Sequence, residues 1–142
     1  MDLLRALLGA ATLPRWLALV ALVRLFSAAL GCAHPARLVG ESLETQLFDR
    51  ANAPRRAPQF TPLAARLFAA WTLASSAVCA AAALDRTRAT LLPCLASFVI
   101  ALLFFASEVF VFATVSPSAA ARPALVAGVS VLWIALELSQ SA

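Results

Sequence analysis

The stretch LAARLFAAWTLASS, residues 63–76, decides the fold class, because it is an apolar segment that contains a single charge. Pro62 stands before it, where a helix often begins, and the apolar run continues through alanines to residue 84. At a rise of 1.5 Å per residue, such a run is long enough to cross the ~30 Å hydrocarbon layer of a membrane. The stretch therefore predicts a transmembrane helix with Arg66 about one turn inside its start.

The composition of the whole chain agrees with a membrane protein. It has 142 residues, of which 63% are hydrophobic and 13% are charged. Soluble domains are roughly 45–50% apolar and about 25% charged. A soluble fold of this size exposes too much of its chain to hide such an excess of apolar surface.

Three further apolar runs resemble the first one, and they are separated by polar or proline-containing segments. We therefore predict an all-α protein, a polytopic compact bundle of four transmembrane helices that forms a single membrane domain. Arginines are similar in number on the two sides, so the positive-inside rule does not decide the orientation. The predicted domain is 1–142, its spans are 16–33, 62–84, 90–115 and 123–138, and its long polar loop is 34–61.

Two charges inside these spans are predicted to meet. Glu108 lies in FFASEVFVFAT, residues 104–114. Helix rise places Arg66 roughly 10 Å and Glu108 roughly 9 Å from the midplane, both toward the long loop. Because ionisable groups are costly in a membrane, they should face the bundle and find partners. We predict an Arg66–Glu108 pair that fixes helix register, with Ser107 or Thr72 as supporting hydrogen-bonding residues. A substrate or proton site is the alternative role.

Arg24, near the middle of the first span, has no obvious partner at its depth in the sequence. It is expected either to reach toward Glu108 or to extend its guanidinium toward the membrane surface.

The residues offer little for catalysis or metal binding. The chain has no GxSxG, HExxH or phosphate-binding glycine loop, and His34 is its only histidine. Its three cysteines lack metal-ligand or CxxC spacing and are expected to be free thiols. We expect no catalytic residues, no metal and no cofactor. The scattered arginines flank apolar runs, which argues against a nucleic acid partner.

Three segments, in this order and spacing, resemble the ergosterol biosynthetic protein 28 family: LPRWL at 13–17, LAARLFAAWTLASS and FFASEVFVFAT. The family pattern Ala-Arg-x-Phe-x-x-Trp-Thr-Leu corresponds to residues 65–73, and its Ser-Glu pair precedes a threonine. The family usually has glycine at Ala69 and histidine at Phe104, so the chain resembles a divergent member. Besides Arg66 and Glu108, the resemblance implies packing roles at Phe68, Trp71, Thr72, Ser107 and Thr114.

The resemblance implies a multi-pass protein of the endoplasmic reticulum membrane, a non-catalytic scaffold of sterol biosynthesis. Its implied partners are the C-4 demethylation enzymes: the methyl oxidase, the 3β-hydroxysteroid dehydrogenase/decarboxylase and the 3-keto reductase. The lipid bilayer is the other partner, and a homo-oligomer is also compatible with the sequence. The residues themselves leave two alternatives open: a sterol- or lipid-binding membrane enzyme, or a small transporter that uses Arg66 and Glu108.

Overall fold

The computed structural model of the chain describes residues 12–33, 62–113, 115 and 117–140. These residues form four helices and no strand: α1 (Thr12–Ala33), α2 (Pro62–Leu84), α3 (Arg88–Phe110) and α4 (Pro117–Gln140). All four are long and apolar enough to cross a membrane. The predicted fold class, an all-α compact bundle of four such helices, is confirmed. The predicted loop 34–61 and Thr114 lie outside the described residues.

The ranges of α1 and α2 are close to the predicted ones. Helix α2 has the predicted bounds. Helix α1 begins at Thr12 instead of residue 16. It includes Pro14 in its first turn, where a missing N–H costs nothing because that N–H would have no helical partner.

The end of α3 and the start of α4 differ more from the prediction. Helix α3 ends at Phe110 rather than at residue 115, although the sequence stays apolar. The backbone N–H groups of Val111 and Phe112 both donate to the Ser107 carbonyl, at 2.9 and 3.0 Å, and Ala113 has a positive φ of 52°. Hydropathy does not detect this turn, because it is made by backbone geometry.

Helix α4 begins at Pro117, not at Pro123, which lies inside it. Proline fits the first position of a helix. In a membrane helix an internal proline is tolerated, since neighbouring groups satisfy the carbonyl that it leaves free. The predicted start of this span, residue 123, is therefore six residues too late.

The helices follow one another around the bundle. Helix α1 packs most extensively on α2, α3 packs on α4, and α2 meets α3 less closely, while α1 and α4 touch little. Residues 85–87 join α2 to α3 in a short turn, so these two helices are antiparallel. We call the end of the bundle that holds this turn the turn end, and the opposite end, where α1 ends and α2 begins, the loop end.

The core is divided between the two ends. At the loop end a small cluster of Phe105, Val115 and Ala120 involves α3, α4 and the segment between them. From the turn end to the middle, all four helices share one cluster. Its buried members are Leu13, Leu17, Val20, Ala21, Cys79, Ala82, Leu91, Cys94, Phe98, Ala127 and Ile134.

Small residues make the close contact between α1 and α2. Ser76, Cys79 and Ala82 of α2 are all buried. The Ser76 hydroxyl donates to the backbone carbonyl of Ala21 on α1, at 2.7 Å. Short side chains let helix backbones approach in lipid, where packing rather than the hydrophobic effect holds helices together.

Candidate functional site

An aromatic row lies near the loop end of α2 and α3. The ring centroids of Phe68 and Trp71 are 5.7 Å apart, those of Trp71 and Phe104 are 5.9 Å apart, and those of Phe104 and Phe105 are 5.4 Å apart. All three pairs are edge-to-face, an arrangement that aromatic rings prefer. The Trp71–Phe104 contact bridges the two helices and fixes which residues face each other.

This contact sets the levels of Arg66 and Glu108. Arg66 lies five residues before Trp71 on α2, and Glu108 lies four residues after Phe104 on α3. Because α2 and α3 are antiparallel, both steps run toward the loop end and bring the two residues to about the same level. Arg66 is exposed and Glu108 is half-buried.

The structure does not join these two charges directly. In the part of the chain that it describes, no ion pair connects Arg66 with Glu108; the ion pair between Arg86 and Glu137, at 3.2 Å, lies at the turn end. The Thr72 hydroxyl donates to the Phe68 carbonyl and the Ser107 hydroxyl to the Phe104 carbonyl, both at 2.8 Å and both within their own helices. The Arg66–Glu108 pair therefore stays a prediction.

A second constellation, which we call the central cluster, consists of Arg24, Cys79, Cys94 and Phe98. The guanidinium carbon of Arg24 lies 4.5 Å from the centroid of the Phe98 ring, within cation–π range. Its Nη1 lies 3.6 Å from the sulfur of Cys79, which in turn lies 3.9 Å from the sulfur of Cys94. Both thiols are free, and they are fully buried together with Phe98.

Sequence reasoning found no partner for Arg24, and the central cluster supplies two. Helix geometry could have predicted the direction of this side chain, because the Cα–Cβ bond of a helical residue points toward the N-terminus of its helix. The side chain of Arg24 is thereby directed toward the turn end and the middle of the bundle, away from Glu108. Its partners are an aromatic face and a thiol, which a search for opposite charges does not consider.

A hydrogen bond between α1 and α4 was also not predicted. The indole N–H of Trp16 donates to the Ser130 hydroxyl at 2.9 Å. Ser130 is fully buried and donates in turn to the Val126 carbonyl at 2.7 Å. The bond links the two helices that otherwise touch little.

The arrangement suits the packing of helices within a membrane. Among the described residues, no group of three His, Cys, Asp or Glu side chains is placed to hold a metal ion. The polar groups instead hold helices to one another or, at Arg24, place a cation in the middle of the bundle.

The chain matches the model of a known protein family. A family model described as Erg28 like protein matches residues 13–132, which is most of the chain. The chain belongs to the Erg28-like family. This confirms the resemblance found in the sequence, and it links the chain to sterol biosynthesis. The match of this Erg28-like chain includes the aromatic row, the central cluster, Arg66 and Glu108.

No curated protein and no solved structure matches this Erg28-like chain. Its four candidate membrane spans make it a multi-pass membrane protein in contact with the lipid bilayer.

Proposed function

We propose that this protein is a non-catalytic scaffold of the endoplasmic reticulum membrane. In this role it holds together the sterol C-4 demethylation enzymes: the methyl oxidase, the 3β-hydroxysteroid dehydrogenase/decarboxylase and the 3-keto reductase. Membership of the Erg28-like family, by a match over residues 13–132, is the observation that carries the proposal.

The mechanism is proximity. Apolar intermediates pass between enzymes that a common membrane partner keeps close, so each step meets its substrate at a raised effective concentration. A scaffold of this kind needs no reacting groups of its own. It needs a stable bundle and surfaces on which other membrane proteins dock.

The outer faces of the bundle suit lateral contacts within the membrane. Large apolar side chains are exposed on every helix, among them Phe26 on α1, Leu67 on α2, Leu103 on α3 and Leu132 on α4. Against lipid, such faces gain little from the hydrophobic effect, and association depends on packing and on polar contacts. Complexes built in this way are expected to be sensitive to detergent.

Affinity capture of the tagged full chain in a mild detergent tests the proposal. The cells should express all three enzymes, and the control is an unrelated tagged four-span protein of the same membrane. We expect all three enzymes to be enriched over the control, and immunofluorescence to place the chain in the endoplasmic reticulum. Enrichment of none of them, both in detergent and after proximity labelling in intact membranes, overturns the scaffold role.

A second arm tests the enzyme alternative. The purified chain is reconstituted alone with a 4-methyl sterol and the redox cofactors that the three enzymes use. We expect no product. Turnover by the chain alone would show that it is an enzyme rather than only a scaffold.

A further inference from the structure

The side chain of Arg24 raises an energetic problem that the scaffold role leaves unsolved. Twelve residues of α1 precede it and nine follow it, so it lies close to the middle of the helix. A charged side chain at that depth is costly to insert into a membrane. The guanidinium also does not extend toward a membrane surface, because it lies against Phe98 and Cys79 in the bundle.

The contacts that Arg24 makes within the described part of the chain satisfy only a small part of its hydrogen-bonding capacity. A guanidinium has five N–H donors and a fixed charge, and a thiol is a weak acceptor. The carboxylates in the described part of the chain lie elsewhere. Asp85 and Glu137 are at the turn end, and Glu108 is ten residues beyond Phe98, about 15 Å along α3. The described residues thus bring no carboxylate to the level of Arg24.

The position of Arg24 within the bundle leaves it open to a ligand. It lies on α1 three residues beyond Ala21, the last buried α1 member of the four-helix cluster, while the cluster toward the loop end has its buried members on α3, α4 and the segment between them. Arg24 is half-buried, so part of it remains accessible. Its helix touches α4 little, and Leu25 and Phe26 beside it are exposed to lipid.

We propose that Arg24 anchors a binding site for a carboxylate carried by a largely apolar, lipid-soluble molecule. The guanidinium fork matches the two oxygens of a carboxylate, and such charge-assisted bonds are strong where water is excluded. The apolar body of the ligand lies along the lipid-accessible side of α1. The site is independent of the proposed scaffold role.

The orientation of Arg24 favours a small molecule over a carboxylate on another protein's transmembrane helix. The guanidinium faces Phe98 and Cys79, which are both fully buried. A helix about 10 Å across would dock on the outer surface and could not follow the side chain inward. An acyl chain or a flat ring system is thin enough to enter from the bilayer.

Photolabelling of the purified full chain in lipid nanodiscs tests this site. The probes are a diazirine-bearing C16 fatty acid, a diazirine-bearing steroid carboxylic acid, and the methyl ester of each. We expect saturable labelling by at least one acid, mapped by mass spectrometry to the middle of α1 or α3. The free acid should compete with the label and the ester should not.

Variants assign the binding to the charge. Arg24→Gln is expected to weaken binding of the acid by about tenfold or more, and Arg24→Lys by less, because it keeps a point charge but loses the fork. Arg15→Gln, which removes an exposed arginine from the same helix, is the matched control and should bind as the native chain does. Size-exclusion profiles and melting temperatures in each probe's absence show whether the variants fold.

Three results would overturn the site: equal labelling by acid and ester, labelling that Arg24→Gln leaves unchanged, or an equal loss in Arg15→Gln. If Arg24→Gln does not fold, the comparison of acid with ester on the native chain still decides. If the native chain binds neither acid while folded Arg24→Gln loses a co-purifying membrane protein, the counter-ion is a partner's residue and the ligand site is wrong. The scaffold role can fail in affinity capture without affecting any of these outcomes.

Discussion

At the scale of single residues, polar side chains determine which helices meet. Trp16 is a residue of α1 whose indole N–H donates to Ser130 on α4. Ser130 is a fully buried hydroxyl that accepts this bond and donates to Val126. If a buried hydrogen-bond donor is left without its acceptor, the folded protein loses about 1–3 kcal/mol of stability, which is more than the bond itself contributes.

We expect Ser130→Ala to lower the free energy of unfolding by about 1 kcal/mol, because it removes the acceptor of the Trp16 indole. Trp16→Phe should have a similar effect through this bond, and the double variant should lose less than the two single losses together. Unfolding by SDS in mixed micelles measures all three free energies.

Ser139→Ala is the matched control, because Ser139 is an exposed serine of the same helix that donates to a carbonyl of its own helix, that of Leu136. It should change stability by no more than a few tenths of a kcal/mol. Strict additivity of Ser130→Ala and Trp16→Phe would contradict the bond.

At the scale of helices, α2 shows that two faces of similar composition have different roles. Ala82 is fully buried in the shared core, while Ala81 next to it is exposed on the outer face. Both faces of the alanine-rich half of α2 are made of small residues, so the sequence does not show which alanines pack against another helix.

We expect Ala82→Leu to destabilise the bundle by about 1–3 kcal/mol, since the added atoms have no free space between closely packed helices. Ala81→Leu makes the same chemical change on the outer face and should be close to neutral. Melting temperatures of the two variants in one detergent, followed by aggregation or by circular dichroism, measure the difference. A larger loss for Ala81→Leu would contradict the assignment of the faces.

The helix ends show a different limit of sequence reasoning. Hydropathy predicts that α3 continues to residue 115, yet backbone turns after Phe110 end it while the side chains remain apolar. At α4 two prolines are both compatible with a helix start. Hydropathy measures the length of an apolar run, whereas backbone hydrogen bonds decide where a helix stops.

At the scale of the whole molecule, the register of α2 on α3 brings Arg66 and Glu108 to one level near the loop end. If the predicted pair forms in the membrane, the charges should be exchangeable. We expect Arg66→Glu and Glu108→Arg to lower stability by about 1–3 kcal/mol each, because each leaves like charges at one depth. The double exchange should recover most of that loss. Melting temperature and recovery of co-purifying enzymes are the measurements.

A control for the exchange is Glu108→Arg combined with Arg88→Glu, which has the same net charge but reverses an arginine at the turn end. It should not recover stability. If both double variants behave alike, the Arg66–Glu108 pair does not exist.

Several features of this protein are determined by its sequence alone. The composition and the lengths of four apolar runs require membrane helices, since backbone polar groups in lipid must be satisfied within each segment. The Arg-x-Phe-x-x-Trp and Ser-Glu segments were enough to recognise the family that the match over residues 13–132 confirms. These features are local, so they can be read from neighbouring residues.

Only the tertiary structure shows how the four spans pack together. In it the small-residue face of α2 contacts α1, the Trp16 indole donates to Ser130, and the Arg24 guanidinium lies against Phe98 and Cys79 rather than near Glu108. These contacts join residues that are far apart in the chain. They depend on the rotation of each helix about its axis, and four helices that are apolar all round carry no sequence pattern that fixes this rotation.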